Sequence, residues 1–128
     1  MKAQYKFGTA INCIDGRTQQ PITNYIKQNY AVDIVDMITF PGADAIFSNE
    51  MRNMEASLAK HSASISIEKH NSRIMAVVGH YDCAGNPGDR EHHNKHIRRA
   101  MQEVSSWNLD AQAIGLYVNE KREIEVVK

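Results

Sequence analysis

Two patterns alternate along the chain. Short apolar runs of strand length are separated by longer stretches with apolar residues every three or four positions. From about Lys6 to Cys13, Phe7, Ile11 and Cys13 lie among small residues and predict a short buried strand that Gly16 ends. Pro21 suits the first turn of a helix, where its missing N–H would be unpaired anyway. Ile22, Tyr25, Ile26 and Tyr30 follow at helical spacing. Asp33 to Phe40, with Ile34, Val35, Met37 and Ile38, predicts a second strand stopped by Pro41-Gly42. A long helix is expected from Ser48, as N-cap, to Lys69, with Met51, Met54, Leu58 and Ile65 near one face. Ile74 to Gly79 is a continuous apolar run, as in the buried centre of a parallel sheet. Asn86 to Asp89 reads as a loop. Arg90 to Trp107 predicts a third helix with His93, Ile97, Met101 and Val104 on one face. Ala111 to Val118 and Ile124 to Val127 are two final strands, joined by a turn at Asn119 to Arg122.

The order β-α-β-α-β-α-β-β implies an α/β fold. One three-layer domain is expected over residues 1–128, with a mostly parallel central sheet, an antiparallel C-terminal edge strand and helices on both faces. A chain of 128 residues is long enough for one real core. Fifteen Lys+Arg balance fifteen Asp+Glu. That neutrality argues against a nucleic-acid partner, which would call for a basic excess. No apolar run approaches the ~20 residues of a membrane span, and the first residues carry no hydrophobic signal region. Two cysteines are too few for a disulfide scaffold. The expected home is the cytoplasm, where they would be free thiols or metal ligands.

Open α/β sheets bind ligands at the carboxyl ends of their strands. The first strand ends in Cys13-Ile14-Asp15-Gly16-Arg17 and the third in Gly79-His80-Tyr81-Asp82-Cys83. If these strands are neighbours, Cys13, His80 and Cys83 converge. Two thiolates and an imidazole are a donor set for zinc, with a fourth position open to water or a carboxylate. Taken singly, each ligand candidate reads equally as a small buried residue or a turn-capping histidine. In an extended segment Cys13, Asp15 and Arg17 would share a face, and Arg17 could clamp Asp15 as a bidentate carboxylate. Asp82 reads as a loop-bracing carboxylate. His92, His93 and His96 form a second cluster. It lacks the Glu of a zinc-protease helix and reads as a solvated face or a proton relay near the site.

Cys-x-Asp-x-Arg after the first strand, with Val-Val-Gly-His-x-x-Cys at the third, resembles the β-class carbonic anhydrases. The turn Phe40-Pro41-Gly42-Ala43-Asp44 falls where that family has a segment lining the site. The resemblance implies one Zn2+ per chain on Cys13, His80 and Cys83, and an Asp15–Arg17 dyad. It implies reversible hydration of carbon dioxide to bicarbonate by a zinc-bound hydroxide, a small-molecule lyase reaction. Hydrolysis of carbonyl sulfide or carbon disulfide, or a zinc domain without turnover, are the alternatives. A homodimer or higher homo-oligomer is expected. Gly16 stands where the family usually has Ser, and Ala84 where it usually has Gly. The first strand starts within about six residues of Met1, so the family's N-terminal helical arm is expected to be missing.

Overall fold

The computed structural model describes residues 5–128; the expectation about the chain's first residues, Met1 to Gln4, lies outside them. Five strands and three longer helices alternate: β1 (Phe7–Asn12), α1 (Gly16–Tyr30), β2 (Ile34–Thr39), α2 (Asn53–Lys69), β3 (Ile74–His80), α3 (Arg90–Ser106), β4 (Gln112–Val118) and β5 (Ile124–Val127). Two 3-10 turns, Ala43–Ala45 and Glu50–Arg52, lie between β2 and α2. The strands form one sheet in the order β2-β1-β3-β4-β5. All pairs are parallel except β4 with β5. The expected α/β class, mostly parallel sheet and antiparallel C-terminal edge are all present.

Burial explains the layering. Every residue of β3 is buried, as its unbroken apolar run requires of a strand covered on both faces. On one face α1 packs Ile22 and Ile26 against Ala10, Ala76, Val78 and Leu116. On the other, α2 and α3 pack Ala59, Ala63, Ile67, Ile97 and Val104 against Ile11, Met75 and Val77. Each fully buried Ile or Leu contributes roughly 1.5–3 kcal/mol. A polar seam pins α2 to the sheet. The Thr9 hydroxyl lies 2.6 Å from Ser66 Oγ and donates to Ser72, and Ser66 donates to Asp36 at 2.7 Å.

Three expectations are corrected. Helix α1 begins at Gly16, not near Pro21, which lies inside it. Its N-cap is Asp15, whose carboxylate accepts from the Arg17 backbone N–H at 2.9 Å; a side-chain acceptor for a first-turn N–H starts the helix there. Arg17 is therefore helical, and an extended Cys13–Arg17 segment does not exist. Ser48 is not the cap of α2 either: Asn49 accepts from Met51 N and starts a 3-10 turn ahead of the helix. Finally, Met51, Met54, Leu58 and Ile65 do not face the core but lie exposed. The inner face of α2 is Ala59, Ala63, Ser66 and Ile67, small enough for close approach to the sheet.

Candidate metal centre

The strand order reverses between β1 and β3: β1 leads through α1 to β2 on one side, while β3 continues to β4 on the other. A crevice opens outside the carboxyl ends of strands at such a point. Cys13 follows β1 and His80 ends β3. Cys83 follows a tight turn in which Asp82 adopts the left-handed conformation, with φ 59°. The turn folds Cys83 back toward Cys13. The donor atoms of Cys13, His80 and Cys83 all lie within 4.8 Å of one another, and all three residues are buried.

Cys13 and His80 are held from behind. The Cys13 backbone N–H donates to Asn12 Oδ1 at 2.8 Å, and Gln19 Nε2 donates to the Cys13 carbonyl at 2.6 Å. The Gly42 N–H donates to Cys13 Sγ at 3.4 Å. His80 Nδ1 donates to the Tyr81 carbonyl at 2.8 Å. A carbonyl only accepts, so the proton sits on Nδ1 and Nε2 keeps its lone pair. That Nε2 is buried and has no hydrogen-bond partner, a costly arrangement for an atom with nothing to bind.

The two cysteines are free, with Sγ atoms 3.9 Å apart. Two sulfurs about 2.3 Å from one tetrahedral metal would lie about 3.8 Å apart, so the spacing fits. The hydrogen bond from Cys83 holds the Cys13 thiol well below the usual thiol range, against the opposing effect of burial. The same bond, with burial, pushes the Cys83 thiol up. A metal bound by both sulfurs would displace their protons. The orphaned imidazole nitrogen, the paired thiols and their spacing fit a thiophilic metal such as zinc.

Asp15 lies beside this group but is not one of its donors. Both carboxylate oxygens face Arg17, Oδ1 accepting from Nε at 3.0 Å and Oδ2 from Nη2 at 2.7 Å. This bidentate fork holds the Asp15 pKa down at about 2. Arg17 also donates to the Asp82 carboxylate at 3.3 Å and to its carbonyl at 3.1 Å. The dyad is thereby tied to the turn carrying Cys83, and Asp82 is the brace its position suggested. A hollow of about 100 Å³ is lined by Arg17, His80, Tyr81 and Val118, among others. A wider cleft of about 470 Å³ reaches Cys83 past Tyr81, Pro87 and Arg90.

A family model described as "Putative carbonic anhydrase" matches residues 3–128. The chain belongs to this family. No curated protein matches it.

The Phe40–Asp44 turn and the histidine cluster make contacts near the centre that sequence reasoning did not foresee. Gly42 has φ +55°, and a Cβ there would sit 2.6 Å from the Gly85 backbone, so the two loops meet backbone to backbone. Asp44, in the turn after Gly42, is buried and accepts from His93 Nδ1 at 2.6 Å. A Cβ on Gly79 would fall 2.5 Å from Asp44 Oδ2; the glycine makes room for the carboxylate. A Gly in an apolar strand just before a ligand is the one sequence signal of that close approach. The solvated reading of His93 is overturned: it is fully buried, because α3 turns it onto the sheet beside Asp44.

Proposed function

We propose that this protein is a zinc-dependent carbonic anhydrase catalysing reversible hydration of carbon dioxide to bicarbonate. The observation that carries the reading is the buried Cys13-His80-Cys83 group with an ionised Asp15–Arg17 pair beside it. Cys13, Cys83 and His80 Nε2 would hold one zinc ion per chain. A zinc ion bound there supplies Lewis acidity that takes the pKa of a water from about 15.7 to roughly 7. Asp15, kept ionised by Arg17, accepts a hydrogen bond from the attacking water and aims its lone pair at the substrate carbon. Arg17 fixes the carboxylate with a two-pronged fork, so its direction is set before substrate arrives. The hollow of about 100 Å³ beside Arg17 and His80 is below the ~300–1,000 Å³ of drug-sized pockets and suits a triatomic substrate.

The same reading places the protein in the cytoplasm, where both thiols stay reduced, as a homodimer or higher homo-oligomer. Exposed Met51, Met54, Leu58 and Ile65 would be covered by a second copy. No helix among the described residues is long and apolar enough to cross a membrane.

Parallel assays of the zinc-loaded protein on carbon dioxide, carbonyl sulfide and carbon disulfide test the substrate. Carbon dioxide is expected to turn over fastest. Faster sulfide release would transfer the assignment to a hydrolase, and no turnover of any of the three would leave a non-catalytic zinc domain.

A further inference from the structure

The three histidines of α3 have no role in the proposed reaction, yet none of them is idle. Each holds part of one polar cluster behind the metal centre. The hub is Asn86, in the loop three residues after Cys83, and it is almost fully buried at 7% exposure. Its amide nitrogen donates to Asp44 Oδ1 at 3.0 Å and to His96 Nδ1 at 2.9 Å. Its amide oxygen accepts from His92 Nε2 at 2.7 Å. Both amide hydrogens are used, and the oxygen is satisfied, which leaves the side chain one orientation. Burial lowers the His96 pKa, which keeps that ring a neutral acceptor. His93, in turn, donates to the other oxygen of Asp44.

The cluster grips the two loops that face the thiols. Asn86 lies on the Cys83 loop, three residues after that thiol. Asp44 lies two residues from Gly42, whose N–H donates to the Cys13 sulfur. Between them Gly42 and Gly85 touch through backbone atoms. The Asn86–Asp44 bond therefore spans the same gap as the two sulfurs. Helix α3 supplies the rigid side of the clamp: Asp89 caps it by accepting from His92 N at 2.9 Å. A Cβ on Gly88 would overlap the His92 ring, so that histidine sits close against the loop.

We propose that Asn86, held by Asp44, His92 and His96 with His93 orienting Asp44, is a positioning unit that presets the spacing of the Cys13 and Cys83 thiolates for metal. Hydrogen-bond networks rigidify the groups they join, and partners behind metal ligands commonly set affinity; here the Asn86 amide is fully engaged, while His93 Nε2 is left without a partner. The histidine cluster is thus neither a solvated face nor a second metal site but the anchor of the first one, resting as it does on the metal-centre reading above.

Zinc affinity of the full chain, measured by competition with a chromophoric chelator, tests this, with the visible spectrum of the cobalt(II) form reporting ligand geometry. Asn86→Leu is expected to bind zinc about 10- to 100-fold more weakly and to shift the cobalt bands. His92→Leu is expected to weaken binding several-fold, and His92→Gln, which keeps a side-chain donor, to restore it. A folded Asn86→Leu protein with wild-type zinc affinity and an unchanged cobalt spectrum overturns the proposal. If that variant does not fold, equal zinc affinities for His92→Leu and His92→Gln overturn it. A wild-type chain that takes up neither metal defeats the metal-centre reading itself, and the clamp with it; tight wild-type binding with unaffected variants defeats the clamp alone.

Discussion

Cys13 Sγ and Cys83 Sγ lie 3.9 Å apart, close enough for one thiol to donate its proton to the other. A metal that binds both must displace their protons, so each sulfur is a ligand only as a thiolate. Cys83→Ser leaves a hydroxyl in its place, a far poorer donor. Its zinc affinity is expected to fall by more than the about 100-fold that loss of a supporting partner can cost, and stoichiometric zinc on the purified variant would contradict the ligand assignment. Asp15→Asn separates two roles of one residue. Asn is as good an N-cap as Asp, so α1 and the metal should persist. The hydration rate should drop by about 100-fold or more, as for loss of a positioned proton acceptor; an unchanged rate would make Asp15 a helix cap only. The convergence of Cys13, His80 and Cys83 and the Asp15–Arg17 contact were legible in sequence, because strand ends carrying Cys, Asp, Arg and His are chemically conspicuous. The pairing of Asn86 with Asp44 was not. The two lie 42 residues apart in two loops, and nothing in either loop announces that the other is its partner.

Elements show a different limit. The apolar periodicity of α1 was readable, but its first turn is polar and is set by the Asp15 cap, so Pro21 pointed to a start that comes too late. In α2 the larger apolar side chains suggested the wrong face. Alanines carry the packing because the helix approaches the sheet closely. Close approach also governs β3. Gly79→Ala would put a Cβ 2.5 Å from Asp44 Oδ2 and 3.0 Å from Ile97 Cδ1, both buried and immobile neighbours. Urea denaturation is expected to show a loss of about 1–3 kcal/mol with an unchanged slope. A loss below about 0.5 kcal/mol, the scatter of surface substitutions, would mean that the Asp44 turn yields easily.

For the whole molecule, the alternation of strand and helix patterns was enough to expect a parallel sheet; convergence of Cys13, His80 and Cys83 was conditional on β1 and β3 being neighbours, and they pair in parallel. Periodicity alone did not say that the whole stripe of Met51, Met54, Leu58 and Ile65 is exposed, though an apolar surface at Met51 and Met54 was a ground for expecting association. Amphipathic spacing looks the same whether a helix faces its own core or a second copy. Light scattering is expected to report a dimer or larger assembly that Met54→Glu with Leu58→Glu shifts toward monomer. A wild-type monomer at high concentration would leave that stripe without the proposed partner. The topology places the Cys-His-Cys group, the Asp15–Arg17 pair and the small hollow at one end of the sheet, where a single reaction can use them all. Stopped-flow hydration of carbon dioxide from pH 7 to 9 tests that reaction most directly, on the zinc-loaded protein, on the same sample stripped by chelator, and after zinc is returned. The proposed activity predicts a saturable rate that disappears on stripping and returns with zinc. A zinc-loaded sample no faster than buffer would contradict it.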